Sequence, residues 1–117
     1  ARLKRYRATI TLASQGAADI IHLARVPAGA TFAFGLYNAS VTLGGTSTLA
    51  VGTSASTGKY CAATAFSATA PTLLASPVGV ESQSVLTAEE VIFATVAGAT
   101  LPASGTVVID LFFSLPN

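Results

Sequence analysis

Val107, Ile109, Leu111, Phe113 and Leu115 recur at every second position near the end of the chain. That period puts all five on one face of an extended strand, whereas a helix would scatter them around its circumference. Just upstream, Val91, Phe93 and Thr95 alternate with Ile92, Ala94 and Val96, and Pro102-Ala-Ser-Gly105 lies between the two runs. Together they read as a long terminal hairpin in the core. Residues 6–12 repeat the signal, with Tyr6, Ala8, Ile10 and Leu12 set against Arg7, Thr9 and Thr11, as in a strand with one wet face.

The rest of the chain follows the same period. Residues 19–25 form a second strand, and Pro27 with Gly29 turns the chain into residues 31–40. There Phe32, Phe34 and Leu36 are expected on one face and Ala33, Gly35 and Tyr37 on the other. Residues 48–51 make a short strand, 52–58 a small-residue loop and 59–66 another strand. Residues 67–79 contain Pro71 and Pro77 and read as an ordered loop with at most one short edge strand near 72–74; residues 80–86 read as a further edge strand. Thr87-Ala-Glu-Glu90 fits a helix capping box, but the β-branched, alternating residues that follow allow one helical turn at most. The expectation is an all-β fold, a single-domain β-sandwich or jelly-roll-like barrel of about seven or eight short strands, with a partly open barrel as the alternative.

At 117 residues and 51% hydrophobic, one domain can hold a core without metal or disulfide support. The longest mainly apolar stretch, residues 91–101, is interrupted by Thr95, Gly98 and Thr100 and falls well short of the roughly 20 residues of a membrane-spanning helix. No membrane partner is expected. With Cys61 alone there is no internal disulfide and no zinc cluster, which suits folding in a reducing cytoplasm. The basic start leads into no secretory signal, and Ala1 is what removal of an initiator Met leaves.

Charge is scarce and uneven. Only 9% of residues are charged, against roughly 25% in an ordinary domain. Four of the six cations, Arg2, Lys4, Arg5 and Arg7, fall in the first seven residues, leaving two cations against five acids in the remainder. The chain divides on this basis into a basic N-terminal arm, residues 1–7, and a sandwich domain, residues 8–117. So charge-poor a body favours self-contact and is expected to be covered in use. In the arm, cations interleave with Leu3 and Tyr6, which suits either phosphates with Tyr6 stacked on a base or an acidic protein surface. The absence of any second basic patch favours the protein partner over nucleic acid, with a solvated terminus as the further alternative, and Arg2, Lys4, Arg5, Tyr6 and Arg7 are the candidate contact residues.

Motifs for chemistry fail on their spacing. Gly52-Thr-Ser-Ala-Ser-Thr-Gly58-Lys59 resembles a phosphate loop but is one residue too long, has Tyr60 where the magnesium-binding hydroxyl belongs, and precedes no helix. His22 is the only histidine; Asp19 would point to the other side of a strand, so a relay would need a distant Ser and Asp110, and no Gly-x-Ser-x-Gly elbow exists. Glu89 and Glu90 are neighbours that point apart. Cys61 has no local base to activate it and reads as a buried structural thiol. The Asn38-Ala-Ser40 sequon falls inside an expected strand. No catalytic, cofactor-binding or metal-ligating residue is assigned, and the chain is not expected to be an enzyme.

One resemblance runs through about three quarters of the chain. Leu23-Ala-Arg-Val-Pro-Ala-Gly-Ala30, Leu43-Gly with Leu49-Ala-Val-Gly-Thr53, Gly58-Lys-Tyr60, Leu86-Thr-Ala-Glu-Glu90 and Ala99-Thr-Leu-Pro-Ala-Ser-Gly-Thr-Val-Val108 occur in an order and spacing similar to the head decoration, or capsid cement, proteins of tailed bacteriophages. The resemblance implies a β-sandwich subunit on the outside of an assembled head. It also implies the major capsid protein as partner, a homo-oligomer, with a trimer favoured, no cofactor, and a virion location after synthesis in the host cytoplasm. The basic start lies outside the matching part. Another virion role (neck, tail or minor coat) and a carbohydrate- or receptor-binding sandwich are the competing readings; the latter is limited by having only Tyr6, Tyr37 and Tyr60 and no Trp for a platform.

Overall fold

Strand β8 (Thr106–Leu115) buries Val107, Ile109, Leu111 and Phe113 to 1% exposure or less. It is paired on both sides. Strand β1 (Arg2–Thr11) runs antiparallel to it without a slip, from Arg2 opposite Leu115 to Thr11 opposite Thr106, and β3 (Thr31–Ala39) lies along its other edge. The two-residue β6 (Thr72–Leu73) completes this first sheet in the order β1-β8-β3-β6. The second sheet comprises β2 (Ile20–Val26), β7 (Glu90–Ala97), β4 (Thr48–Gly52) and β5 (Cys61–Thr64), also antiparallel and in that order. The structure, a computed structural model, describes residues 2–43, 46–66, 69, 71–74 and 85–115.

Pairing β1 with β8, β2 with β7, β3 with β6 and β4 with β5 folds the chain back on itself as one long ribbon wrapped into two layers, which is the jelly-roll connectivity. The all-β sandwich expected from the alternation is what forms, with no helix among the described residues. Thr87 and Ala88 make a bend rather than a helical turn. Between the layers, the inner face of β8 meets Ile92, Ala94 and Val96 of β7 and Leu49 and Val51 of β4, all 1% exposed or less.

Two local expectations change. β7 and β8 do not form a hairpin; they lie in different sheets, facing each other through the core. The connection passes Gly98 and Gly105, at φ 81° and 122°, and is tied to the β1–β2 crossover by Leu12 N–H to Gly105 O (2.9 Å) and Leu101 N–H to Gln15 O (2.8 Å). A Cβ on Gly98 would also land on the Thr46 carbonyl. Period-two alternation shows which face of each strand is buried, and that face is the same for strands lying side by side or packed face to face.

In β3, a bulge at Ala33 reverses the alternation: Phe32 points inward, but beyond it Gly35, Tyr37 and Ala39 are buried while Phe34 and Leu36 turn outward. Gly35 makes room there, since a Cβ would come within 2.7 Å of Leu74 Cδ1. The edge strand expected over residues 80–86, like most of the loop 67–79, lies outside the described residues; Leu86 itself hydrogen-bonds Ala30 O and Gly29 N–H without belonging to a strand.

Because Ile109 sits at the centre of the doubly paired strand, Ile109→Ala is expected to cost about 2–5 kcal/mol. Urea unfolding should report this as a lower midpoint with an unchanged slope.

Candidate interaction surface

The six cations divide into two groups once the chain is folded. Arg7, on the outer face of the first sheet, donates two hydrogen bonds to Asp110 of the neighbouring strand (Nε 2.9 Å, Nη2 3.0 Å). This cross-strand fork raises the Arg7 pKa, chiefly through the hydrogen bond to Asp110. Arg25 meets Glu89 at 3.4 Å in an exposed pair, and Lys59 meets Glu90 at 2.8 Å with both side chains largely shielded. Arg2, Lys4 and Arg5 remain without an ion-pair partner among the described residues, all exposed on the first half of edge strand β1.

β1 runs without a break across residue 7, so the basic segment is hydrogen-bonded sheet. Tyr6 is half-buried, packed edge-on against Phe113 (5.8 Å between ring centroids), and Lys4 Nζ lies 5.0 Å from its centroid. Arg2, Leu3, Lys4 and Arg5 together with Leu115 line a shallow recess of about 380 Å³.

The remaining candidates for chemistry are dispersed. His22 stands exposed on the outer face of the second sheet, edge-on to Phe93 at 5.7 Å. Asp110 is on the outer face of the first sheet, so the sandwich separates the two groups a relay would need to join. Cys61 points into the core at 1% exposure, and burial pushes its thiol pKa up, away from the reactive thiolate. The loop from Gly52 to Lys59 closes on itself: Ser56 O accepts from Thr53 N–H and Lys59 N–H, so these amides are not available to cradle a phosphate. Ser40 Oγ of the sequon accepts the Thr106 N–H at 2.9 Å. No group of three or more His, Cys, Asp or Glu among the described residues is placed to hold a metal ion.

What the local sequence did not reveal is the contact set of Glu90. It accepts from Tyr60 Oη and from Lys59 Nζ, beside an open groove of about 490 Å³ between the loop 53–59 and residues 85–90. Tyr60 in turn packs on Phe32 (4.7 Å) and Phe113 (5.6 Å), so this polar trio caps an aromatic cluster joining both sheets. Burial, then the bond to Glu90, raises the Tyr60 pKa. Tyr37 is fully buried and stacked on Phe66 at 4.1 Å, and its hydroxyl has no hydrogen-bond partner among the described residues. With Tyr37 and Tyr60 buried, the tyrosines form no exposed aromatic platform.

A two-layer jelly roll with an uncompensated basic edge is the class that these observations define. Chains in solved phage capsids share the fold. One in the acidic stable capsid structure of Helicobacter pylori bacteriophage KHP30 has a TM-score of 0.72 at 17% identity, covering 100% of this chain and 90% of that one. One in the Cyanophage Pam1 capsid asymmetric unit has 0.70 at 18%, over 97% and 85%. One in the capsid of Ralstonia phage GP4 has 0.69 at 21%, over 99% and 86%. No protein-family model and no curated protein matches the chain.

Two substitutions separate the buried polar groups. Glu90→Ala leaves Tyr60 Oη and Lys59 without their acceptor and is expected to cost about 1–3 kcal/mol. Tyr37→Phe removes an unpartnered buried hydroxyl and should be neutral or stabilising by about 1 kcal/mol. Burial pushes the Tyr37 pKa from 10.0 up to about 12. Its contribution is therefore intact below pH ~10 and lost as the pH rises through about 12, because the unfolded chain releases the proton first. Urea melts from about pH 8 to 12 should show a shallower alkaline decline in Tyr37→Phe than in the parent.

Proposed function

We propose that this chain is a structural protein of a tailed-phage virion, a decoration or cement subunit bound to the outside of the assembled head. The observation that carries the reading is the sharing of a whole-chain fold with chains in three phage capsid structures, each covered to 85% or more. The resemblance in the turn and strand segments supports the decoration role in particular. The major capsid protein is the partner in this reading, the subunits associate as a homo-oligomer, with a trimer favoured, and the protein is made in the host cytoplasm before joining the head exterior. No cofactor enters and no reaction is catalysed; His22 and Asp110 on opposite outer faces and a buried Cys61 support that view.

A protein of this kind works by contact. Its low charge lets apolar and hydroxyl surface be buried between neighbours at little desolvation cost, and several simultaneous contacts on a lattice raise avidity. Arg2, Lys4 and Arg5 supply the electrostatic part of the contact, while Tyr6 and Arg7 anchor the strand that presents them, through Phe113 and Asp110. Deleting the segment would remove half of β1, so neutralisation is the informative change.

Co-sedimentation with heads lacking the protein should show saturable binding at a fixed number of copies per head; absence of binding overturns the reading. Arg2→Gln with Lys4→Gln and Arg5→Gln should weaken that binding about tenfold or more at low salt and flatten its salt dependence. The melting temperature should not move.

A further inference from the structure

The outer face of the first sheet combines exposed apolar groups with Arg5, a cation that has no ion-pair partner among the described residues. Of the five large hydrophobic side chains exposed among the described residues, Leu3 (58%), Phe34 (37%) and Leu73 (57%) stand on this face. The bulge at Ala33 is what turns Phe34 outward, where it lies flat on Phe112 with ring centroids 4.5 Å apart and planes 14° from parallel. Register sets Arg5 directly beside Phe112 on the edge strand, and the Arg7–Asp110 pair lies in the next row. A stacked aromatic pair flanked by aliphatic groups, with Arg5 beside it and Arg2 and Lys4 on the same edge strand, has the composition of a protein-binding patch.

We infer that this face, from Leu3 and Arg5 across Phe112 and Phe34 to Leu73, docks on an acidic protein surface that also presents apolar side chains. The inference rests on the reading above, in which that surface belongs to the phage shell. Charge decides the occupant. A second copy would bring its own cations to the contact, and its described acids are committed elsewhere: Asp110 to Arg7, Glu89 to Arg25 and Glu90 to Lys59, with Asp19 receiving the Gly16 N–H. A nucleic acid would match the cations, but its phosphates offer nothing to Leu3 and Leu73. An acidic protein face satisfies both components, with steering from the cations and burial from the apolar centre.

The test compares substitutions equal in charge and exposure. Leu3→Asp and Leu73→Asp place an acid on the face, and Ile20→Asp, at a position 62% exposed on the second sheet, serves as the control. Binding to heads lacking the protein should fall about tenfold for each single change and about a hundredfold for the double. Ile20→Asp should bind like the parent, and all variants should share its melting temperature.

If the parent binds and the double variant binds as well as Ile20→Asp, the face is not the docking surface and the inference falls while the virion reading stands. If the parent itself does not bind, both fall. Light scattering completes the test. A parent oligomer dissociated by Leu73→Asp, with head binding preserved, would give the face to a second copy and overturn the inference. Displacement of the bound parent by duplex DNA would give it to nucleic acid, with the same consequence.

Discussion

Burial of the inner face of β8 is the constraint on which the rest of the molecule depends. The strand is paired along both edges, so its backbone polar groups are satisfied within the sheet while four side chains face the opposite layer. Phe113 is also the hub of the aromatic cluster, touching Tyr6, Phe32 and Tyr60, and thereby connects the edge strand, the bulged strand and the loop before β5. Fixing the inward residues fixes the outward ones, because successive side chains alternate. Asp110 and Phe112 face outward for that reason, and Arg7 and Phe34 are arranged around them.

Folding redistributes a nearly balanced set of charges into a directional one. Among the described residues three ion pairs form between segments far apart in the chain, the longest joining residues 103 positions apart, and each offsets one acid with one cation. The cations left over share one end of one edge strand. Lys and Arg on an edge discourage like edges from pairing. The same residues remain available to an acidic neighbour, so protection from edge-to-edge pairing and attraction of such a neighbour are compatible uses of one strand.

The candidate site was partly legible in the chain. Clustering of Arg2, Lys4, Arg5 and Arg7 was visible at once, because it needs only sequence proximity. That Arg7 belongs to Asp110, and that Tyr6 braces Phe113, required the β1–β8 register. Thr87 and Glu90 have capping-box spacing, which allows one helical turn at most; strand pairing instead delivers Glu90 to Lys59 and Tyr60, some thirty positions away. The Phe34–Phe112 pair was hidden for a different reason: an inserted residue at Ala33 reverses the alternation, and nothing in the local residue types marks where that insertion falls.

Sequence by itself determined the all-β class, the buried face of β8, the isolation of Cys61 and the absence of any local constellation for chemistry, since each follows from residue type and short-range period. Only the tertiary structure decided that β7 and β8 face each other across the core instead of forming a hairpin, that the ribbon closes as a jelly roll, and which charges are offset. The physical reason is that alternation encodes a strand's inside and outside but not its neighbour. Neighbours are chosen by packing two whole sheets together, and the ion pairs and exposed patches follow from that choice.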